Sequence, residues 1–363
     1  MSSINEIFRT FGPEYVERFG DDIPKEHLKA IEAITACRTA EAGTAHYECE
    51  QCGNFHVMYR SCGNRHCPTC QHHKASQWLE SQMDRQLPGH HFMITFTVPE
   101  SLRRFIRSHQ GAAYSALFKA SSEAIKKLAR DDRHIGGDLP GFLGVLHTWG
   151  RTLEYHPHIH YIVVGGALST KDGAWHPSRI DFYLPVKALS KIFRAKFRDG
   201  IKAAGLLDVA PSDVWDIDWN VNCQAVGESS ASLGYLAPYV FKVAISNNRI
   251  IKVENRTVTF RYKKAKSSRW RTMALDVFEF IRRFLQHVLP TGFMKVRYFG
   301  FMNSSCKVEL DTISTLIELS YGFEVTRPEA DLDPRQPLTF PHCGGRLKLR
   351  AIVLPNGTVI RPG

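Results

Sequence analysis

The sequence predicts an α+β fold: an N-terminal helical and zinc-knuckle domain, followed by a domain with a central antiparallel sheet flanked by helices. Two observations carry this. Short segments rich in β-branched and aromatic residues alternate with amphipathic helical stretches through hairpin-type connections. Between Cys37 and His73 periodic apolar residues become scarce, while six of the nine cysteines fall between Cys37 and Cys70. Clustered cysteines in a chain with no expected leader read as metal ligands that replace a core.

The elements follow in order. Pro13 to Ala36 has helical spacing, with Val16, Phe19, Ile23, Leu28, Ile31 and Ile34 on one face. The Cys/His segment comes next. A helix from Trp78 to Leu87 runs into Pro88-Gly89, the first boundary, so residues 1–88 form the N-terminal domain. Phe92–Val98 reads as a strand and Ser101 to Arg130 as one or two helices. Phe142–Trp149 and His156–Val164 read as strands joined by a polar turn at Gly150–Glu154. Val186–Leu207 is a basic amphipathic helix, Trp215–Val226 is strand-like, and Ser229–Val243 is helical with Pro238 interrupting it. Ile250–Val253, Val258–Tyr262 and Trp270–Met273 make a small antiparallel unit, and Leu275–Leu289 is helical. These place the second domain at 89–290, including the basic β unit near 249–273, and leave 291–363 as a C-terminal tail.

Composition narrows the function. Of 363 residues, 43% are apolar and 23% charged, which excludes a disordered or collagen-like chain. No apolar run approaches the ~18 residues that span a bilayer. Met1 to Thr10 lacks a basic flank before an apolar core, so no secretory leader is expected, and a soluble cytoplasmic protein with no membrane partner is. The net charge is +11, yet residues 1–50 hold ten acids and five bases, so the remaining 313 carry +16. A basic body suits a polyanionic partner such as nucleic acid. Residues 249–271 concentrate nine bases against Glu254 alone, with Phe260, Tyr262 and Trp270 interleaved. Arg249, Arg261, Lys263, Lys264, Lys266, Arg269, Trp270 and Arg271 are the candidate contacts to a single strand, charges on phosphates and rings on bases. The helix with Lys187, Lys191, Arg194, Lys196, Arg198 and Lys202 is a second candidate surface.

Three constellations carry chemistry. Cys49-x-x-Cys52 and Cys67-x-x-Cys70, fourteen residues apart, suit one tetrahedral structural zinc with a closed thiolate shell. Cys37 and Cys62, with His66 nearby, leave two partitions open: a second zinc, or exchange of Cys62 or a histidine into the first site. In His158-Ile159-His160, strand alternation puts both imidazoles on one face, about 7 Å apart along the strand and able to converge on one metal. In Tyr235-Leu236-Ala237-Pro238-Tyr239-Val240-Phe241-Lys242, helical spacing gives Tyr235, Tyr239 and Lys242 a shared face, although Pro238 favours a kink.

The succession of FMITFTVP, HPHIH and YxxxYxxK resembles the HUH (His-hydrophobic-His) rolling-circle nucleases. The preceding Cys segment is similar to that of the IS91-like insertion-sequence transposases, and the resemblance runs from about Pro13 to Met302. It implies a nuclease that attacks a DNA phosphodiester with tyrosine, leaving a 5′-phosphotyrosine and a free 3′-OH. Tyr235 and Tyr239 would be the nucleophiles, and Lys242 would orient phosphate or metal. His158 and His160 would hold a catalytic Mg²⁺ or Mn²⁺, with His147 as third ligand and Glu154 as its rival. Bond energy kept in the phosphotyrosine implies no need for ATP. The implied partner is single-stranded DNA at element ends and target, in the bacterial nucleoid. Two alternatives share these features: a catalytically inactive zinc-containing DNA-binding descendant, and a rolling-circle replication initiator. In the tail, Phe340-Pro341-His342-Cys343-Gly344 departs from the Cys-Pro-x-Cys-Gly knuckle common in such proteins, so no full tail zinc is expected.

Overall fold

The computed structural model describes residues 3–71, 78, 87–228, 243–264, 267, 269–322 and 337–362. The fold is α+β, and the chain forms two compact units. One gathers Met1–Lys74, Phe241–Val288 and Asp331–Gly363; the other gathers Ala75–Val240 and Leu289–Ala330. The contiguous expectation of 1–88, 89–290 and 291–363 therefore does not match how the contacts fall. Two kinds of contact are the reason: a strand near the end of the tail pairs with the Thr44–Cys49 strand, and Phe278 and Phe284, just after the basic β unit, pack on Tyr15 and Phe8 of the N-terminal segment.

In the first unit, helix α1 (Ile4–Phe19) begins nine residues before the expected Pro13, because Ser3 supplies a capping box with Glu6. Helix α2 (Lys25–Ala36) follows after a break at 20–24. The buried face consists of Ile4, Ile7, Phe8 and Tyr15 with Ile31 and Ile34; Phe19 stays partly exposed. Strands β1 (Thr44–Cys49) and β2 (Phe55–Tyr59) form a hairpin.

In the second unit, β3 (His90–Thr97) precedes helices α3 (Leu102–Ser108) and α4 (Gln110–Ala129). Then come β4 (Phe142–Trp149), β5 (Tyr155–Val164), β6 (Gly166–Leu168), β7 (Trp175–Pro177) and helix α5 (Val186–Ala203). Strand β8 (Val221–Glu228) starts later than the expected Trp215, since Trp215 and Trp219 pack against Phe197 of α5 instead.

The first unit resumes with β9 (Ile250–Glu254), β10 (Thr257–Lys263) and β11 (Trp270–Asp276), a three-stranded antiparallel sheet. Helix α6 (Val277–Leu285) is capped by Asp276, and its Phe284 and Phe278 meet Phe8 and Tyr15 of α1. The second unit adds β12 (Val296–Phe299) and helix α7 (Leu310–Tyr321). Strands β13 (Leu347–Val353) and β14 (Val359–Ile360) complete a sheet in the first unit, ordered β14-β13-β1-β2.

The sheet that positions the chemistry has the order β12-β4-β5-β3-β8, with every neighbour antiparallel. Alternation divides its faces. Phe92, Ile94 and Phe96 of β3, Phe142 and Leu146 of β4, and Ile159, Tyr161 and Val163 of β5 enter a core shared with α4 and α5. Gly144 lies opposite Tyr161, where an added Cβ would come within 2.4 Å of the ring. A glycine there makes room for Tyr161, whose hydroxyl meets Ser121 Oγ of α4 at 2.7 Å. Among the described residues, no helix is long and apolar enough to cross a membrane.

Candidate metal centres and nucleic-acid interface

Because the odd positions of β5 fill the core, its even positions, His156, His158 and His160, point to the opposite face. His147 of β4 is the direct register partner of His158. The ring centroids of His147, His158 and His160 lie 4.8–5.4 Å apart, and one nitrogen of each falls within 4.8 Å of the others. His147 is 2% exposed and stacks on Trp149 at 4.7 Å.

Hydrogen bonds set the orientation of two of these rings. His158 Nδ1 donates to the carbonyl of His156 at 2.6 Å, which assigns the lone pair to Nε2. His160 Nδ1 meets Thr95 Oγ1, its register partner on β3, at 3.0 Å. Outer partners of this kind fix the tautomer and aim of metal-ligating histidines. His156, on the same face, instead accepts from Arg103 Nη2 at 2.7 Å. Burial, reinforced by that guanidinium, holds its pKa below the ordinary histidine range. Glu154, the rival third ligand, is engaged in the turn, where its carboxylate accepts from Thr152 N at 2.9 Å and from the Thr152 hydroxyl. Thr95 and Arg103 were not singled out from sequence. Thr95 was legible only through the β3–β5 register, and Arg103 had no local signal.

The cysteines partition differently from expectation. Cys37, at the C-terminal end of α2, joins Cys62, Cys67 and Cys70 in one cluster. Cys49 and Cys52 do not share it, and meet Cys343 from the tail instead. Within the first cluster the Sγ separations are 3.6 Å (Cys37–Cys70), 3.6 Å (Cys62–Cys70) and 3.7 Å (Cys37–Cys67). A tetrahedron with Zn–S bonds of ~2.3 Å has edges of about 3.8 Å, whereas a disulfide needs ~2.05 Å. The residues therefore fit a closed four-thiolate zinc. Asn5 of α1 donates to Cys67 Sγ at 3.6 Å and is held by Thr69 at 2.7 Å, a supporting contact from the first helix. The Cys37 neighbour pulls the Cys70 thiol down and drives that of Cys62 up. His66 is not part of this set.

The basic β unit presents Arg261 and Lys263 over the exposed ring of Trp270, at 4.8 and 5.0 Å. Lys264, Arg269 and Arg271 are exposed, and Arg249 is half-buried, donating to the Arg261 carbonyl. Phe260 is fully buried against Phe280, so it supports the sheet and offers no stacking face. On α5, Lys196 pairs with Glu123 at 2.9 Å, Arg194 donates to the Ile217 carbonyl, and Arg198 covers Trp215. Half of that helix's basic residues are thus committed to packing. Tyr235, Tyr239, Lys242 and Lys266 lie outside the described residues.

Comparison with known proteins accounts for both parts of the chain. Residues 7–98 match the family described as "Transposase zinc-binding domain", and residues 141–309 match the family described as "Putative transposase". A relative named "Putative transposase y4qJ", from Sinorhizobium fredii, is 34% identical over 328 residues, 83% of this chain and 80% of the relative. The "Transposase for insertion sequence element IS801", from Pseudomonas savastanoi pv. phaseolicola, is 26% identical over 358 residues, 90% of this chain and 84% of the relative. No solved structure gives a significant match. Matched along most of its length by these relatives and at its N-terminus by a zinc-binding model, the chain belongs to the IS91-like transposase family, with an N-terminal zinc-binding domain.

Proposed function

We propose that this transposase is an HUH endonuclease that nicks and rejoins single-stranded DNA at insertion-sequence ends through a 5′-phosphotyrosine, the chemistry of rolling-circle transposition. The observation that carries this reading is the cluster of His147, His158 and His160 on adjacent antiparallel strands, with two rings oriented through Nδ1. His147, His158 and His160 would hold Mg²⁺ or Mn²⁺, which would supply Lewis-acid polarisation of the scissile phosphate. Tyr235 or Tyr239 attacks phosphorus through its hydroxyl oxygen. The new O–P bond replaces the P–O3′ bond, and the proton given up by tyrosine ends on the departing 3′ oxygen. One phosphodiester replaces another, so rejoining needs no ATP. Lys242 stabilises phosphate charge. With two tyrosines, one holds the first 5′ end while the other attacks the second strand. Trp270 with Arg261, Lys263, Lys264, Lys266, Arg269 and Arg271, and with Arg249 behind them, binds the single strand.

The test is incubation of the protein with labelled single-stranded element ends and Mn²⁺, followed by denaturing electrophoresis and peptide mapping. A covalent protein–DNA band is expected, absent with chelator and lost by more than ~100-fold in His158→Ala or His160→Ala, while strand binding persists. The adduct should map to Tyr239 first; Tyr235→Phe should still form it, and the double Tyr→Phe variant should form none. Wild-type protein that binds element ends without an adduct would instead be an inactive DNA-binding descendant.

A further inference from the structure

The tail loop Phe340–Gly345 repeats the backbone of the Cys49–Asn54 loop. In the first loop Cys49 N donates to the Asn54 carbonyl and Gly53 N to the Cys49 carbonyl, both at 2.9 Å. In the second, Phe340 N donates to the Gly345 carbonyl and Gly344 N to the Phe340 carbonyl, both at 2.8 Å. Gly53 and Gly344 take the same left-handed φ, 71° and 72°. Each loop closes a hairpin, β1 to β2 in one case and the Thr339–Arg346 bridge in the other, and β1 pairs with β13 directly. Cys52 and Cys343 therefore occupy equivalent positions, and so do Cys49 and Phe340.

The sulfurs converge. Cys343 Sγ lies 3.4 Å from both Cys49 Sγ and Cys52 Sγ, near the edge of a zinc–thiolate tetrahedron and far beyond a disulfide bond. Gly345 approaches so closely that a Cβ there would stand 2.6 Å from Cys49 Sγ. The fourth corner of this paired-knuckle arrangement falls to Phe340, whose ring is 8% exposed and packs with Cys49 and Leu347. Among the described residues, no histidine or carboxylate joins the three sulfurs.

We propose that Cys49, Cys52 and Cys343 form a second zinc centre, with three thiolates and a fourth position taken by an exchangeable water or small thiol. Phe340 stands where the fourth protein ligand would be. The centre ties the end of the chain to its zinc-binding domain and holds its ion more loosely than the closed Cys37/Cys62/Cys67/Cys70 site.

The test counts zinc in full-length protein purified under reducing conditions, then titrates it with a chromophoric chelator. Wild type should release one zinc at lower chelator concentration than another. Cys343→Ser should hold one zinc fewer. Phe340→Cys should keep the full count and raise chelator resistance of the labile ion by roughly tenfold or more, as expected on closing the shell. Cobalt substitution should show stronger sulfur charge-transfer absorption in Phe340→Cys than in wild type. The proposal fails if Cys343→Ser retains the wild-type zinc count, if Phe340→Cys changes neither resistance nor spectrum, or if Cys343 is found in a disulfide in the reduced protein.

Discussion

His91 shows what burial does to one side chain. It is 6% exposed at the start of β3, and its Nδ1 donates to the Gly89 carbonyl at 3.1 Å. Desolvation pushes its pKa down to about 4, with the Gly89 bond opposing the shift. In the unfolded chain the same imidazole titrates near ~6.5. Above that value both states are neutral and the residue contributes no slope. As pH falls from ~6.5 towards about 4, the unfolded state takes up the proton first, so stability is lost at up to ~1.4 kcal/mol per pH unit, or about 3 kcal/mol in all. Urea denaturation at several pH values should show His91→Gln less stable than wild type near neutrality, with the gap closing through this window. Parallel curves for the two proteins would mean His91 does not titrate this way.

At the scale of elements, the β10–β11 hairpin is where charge and aromatic surface coincide. Register sets Lys263 opposite Trp270 and Arg261 opposite Thr272, which gathers both cations over one indole. An aromatic face under bases is worth ~1–3 kcal/mol per stacked base, and each phosphate contact adds about 0.7 to the salt slope for single strands. Trp270→Ala should therefore weaken binding of a single-stranded oligonucleotide by roughly 5- to 150-fold at fixed salt. The Lys263→Ala/Arg271→Ala pair should lower the slope of log affinity against log salt by about 1–1.5. Fluorescence anisotropy over a salt series reads both, and unchanged slopes and affinities would remove the hairpin from the interface. The same hairpin shows why local pattern is an incomplete guide: Phe260, Tyr262 and Trp270 look alike in sequence, yet Phe260 points inward to Phe280 while Trp270 is 51% exposed.

For the whole molecule, the decisive feature is a first unit assembled from three separated stretches of chain. Strand β13 covers an edge of β1 along its full length, from Thr44↔Val353 to Cys49↔Leu347. Deleting residues 337–363 would uncover that edge, remove Leu347 and Phe340 from their cluster with Cys49, and take away Cys343. An exposed strand edge is also a template for aggregation. The truncated protein should melt roughly 5–10 °C lower and aggregate on heating. A melting temperature within about a degree of the parent would show that the tail contributes little to the fold.

The sequence by itself determined the α+β class, the bounds of β4 and of most of β5, and the placement of His158 and His160 on one face, because strand alternation is a local rule. It also singled out His147 and the zinc-binding character of the Cys37–Cys70 segment. Only tertiary structure decided which cysteines belong together. Knuckle spacing is local, but coordination is set by where two knuckles meet, and β1 pairs with a strand some 300 residues away. That pairing brings Cys343 to Cys49 and Cys52 and leaves Cys67 and Cys70 to Cys37 and Cys62. Thr95, which orients His160 of the cluster through register, and Arg103, which engages the neighbouring His156 from the helix after β3, were set at the same level, since side chains from different elements acquire neighbours only when those elements pack.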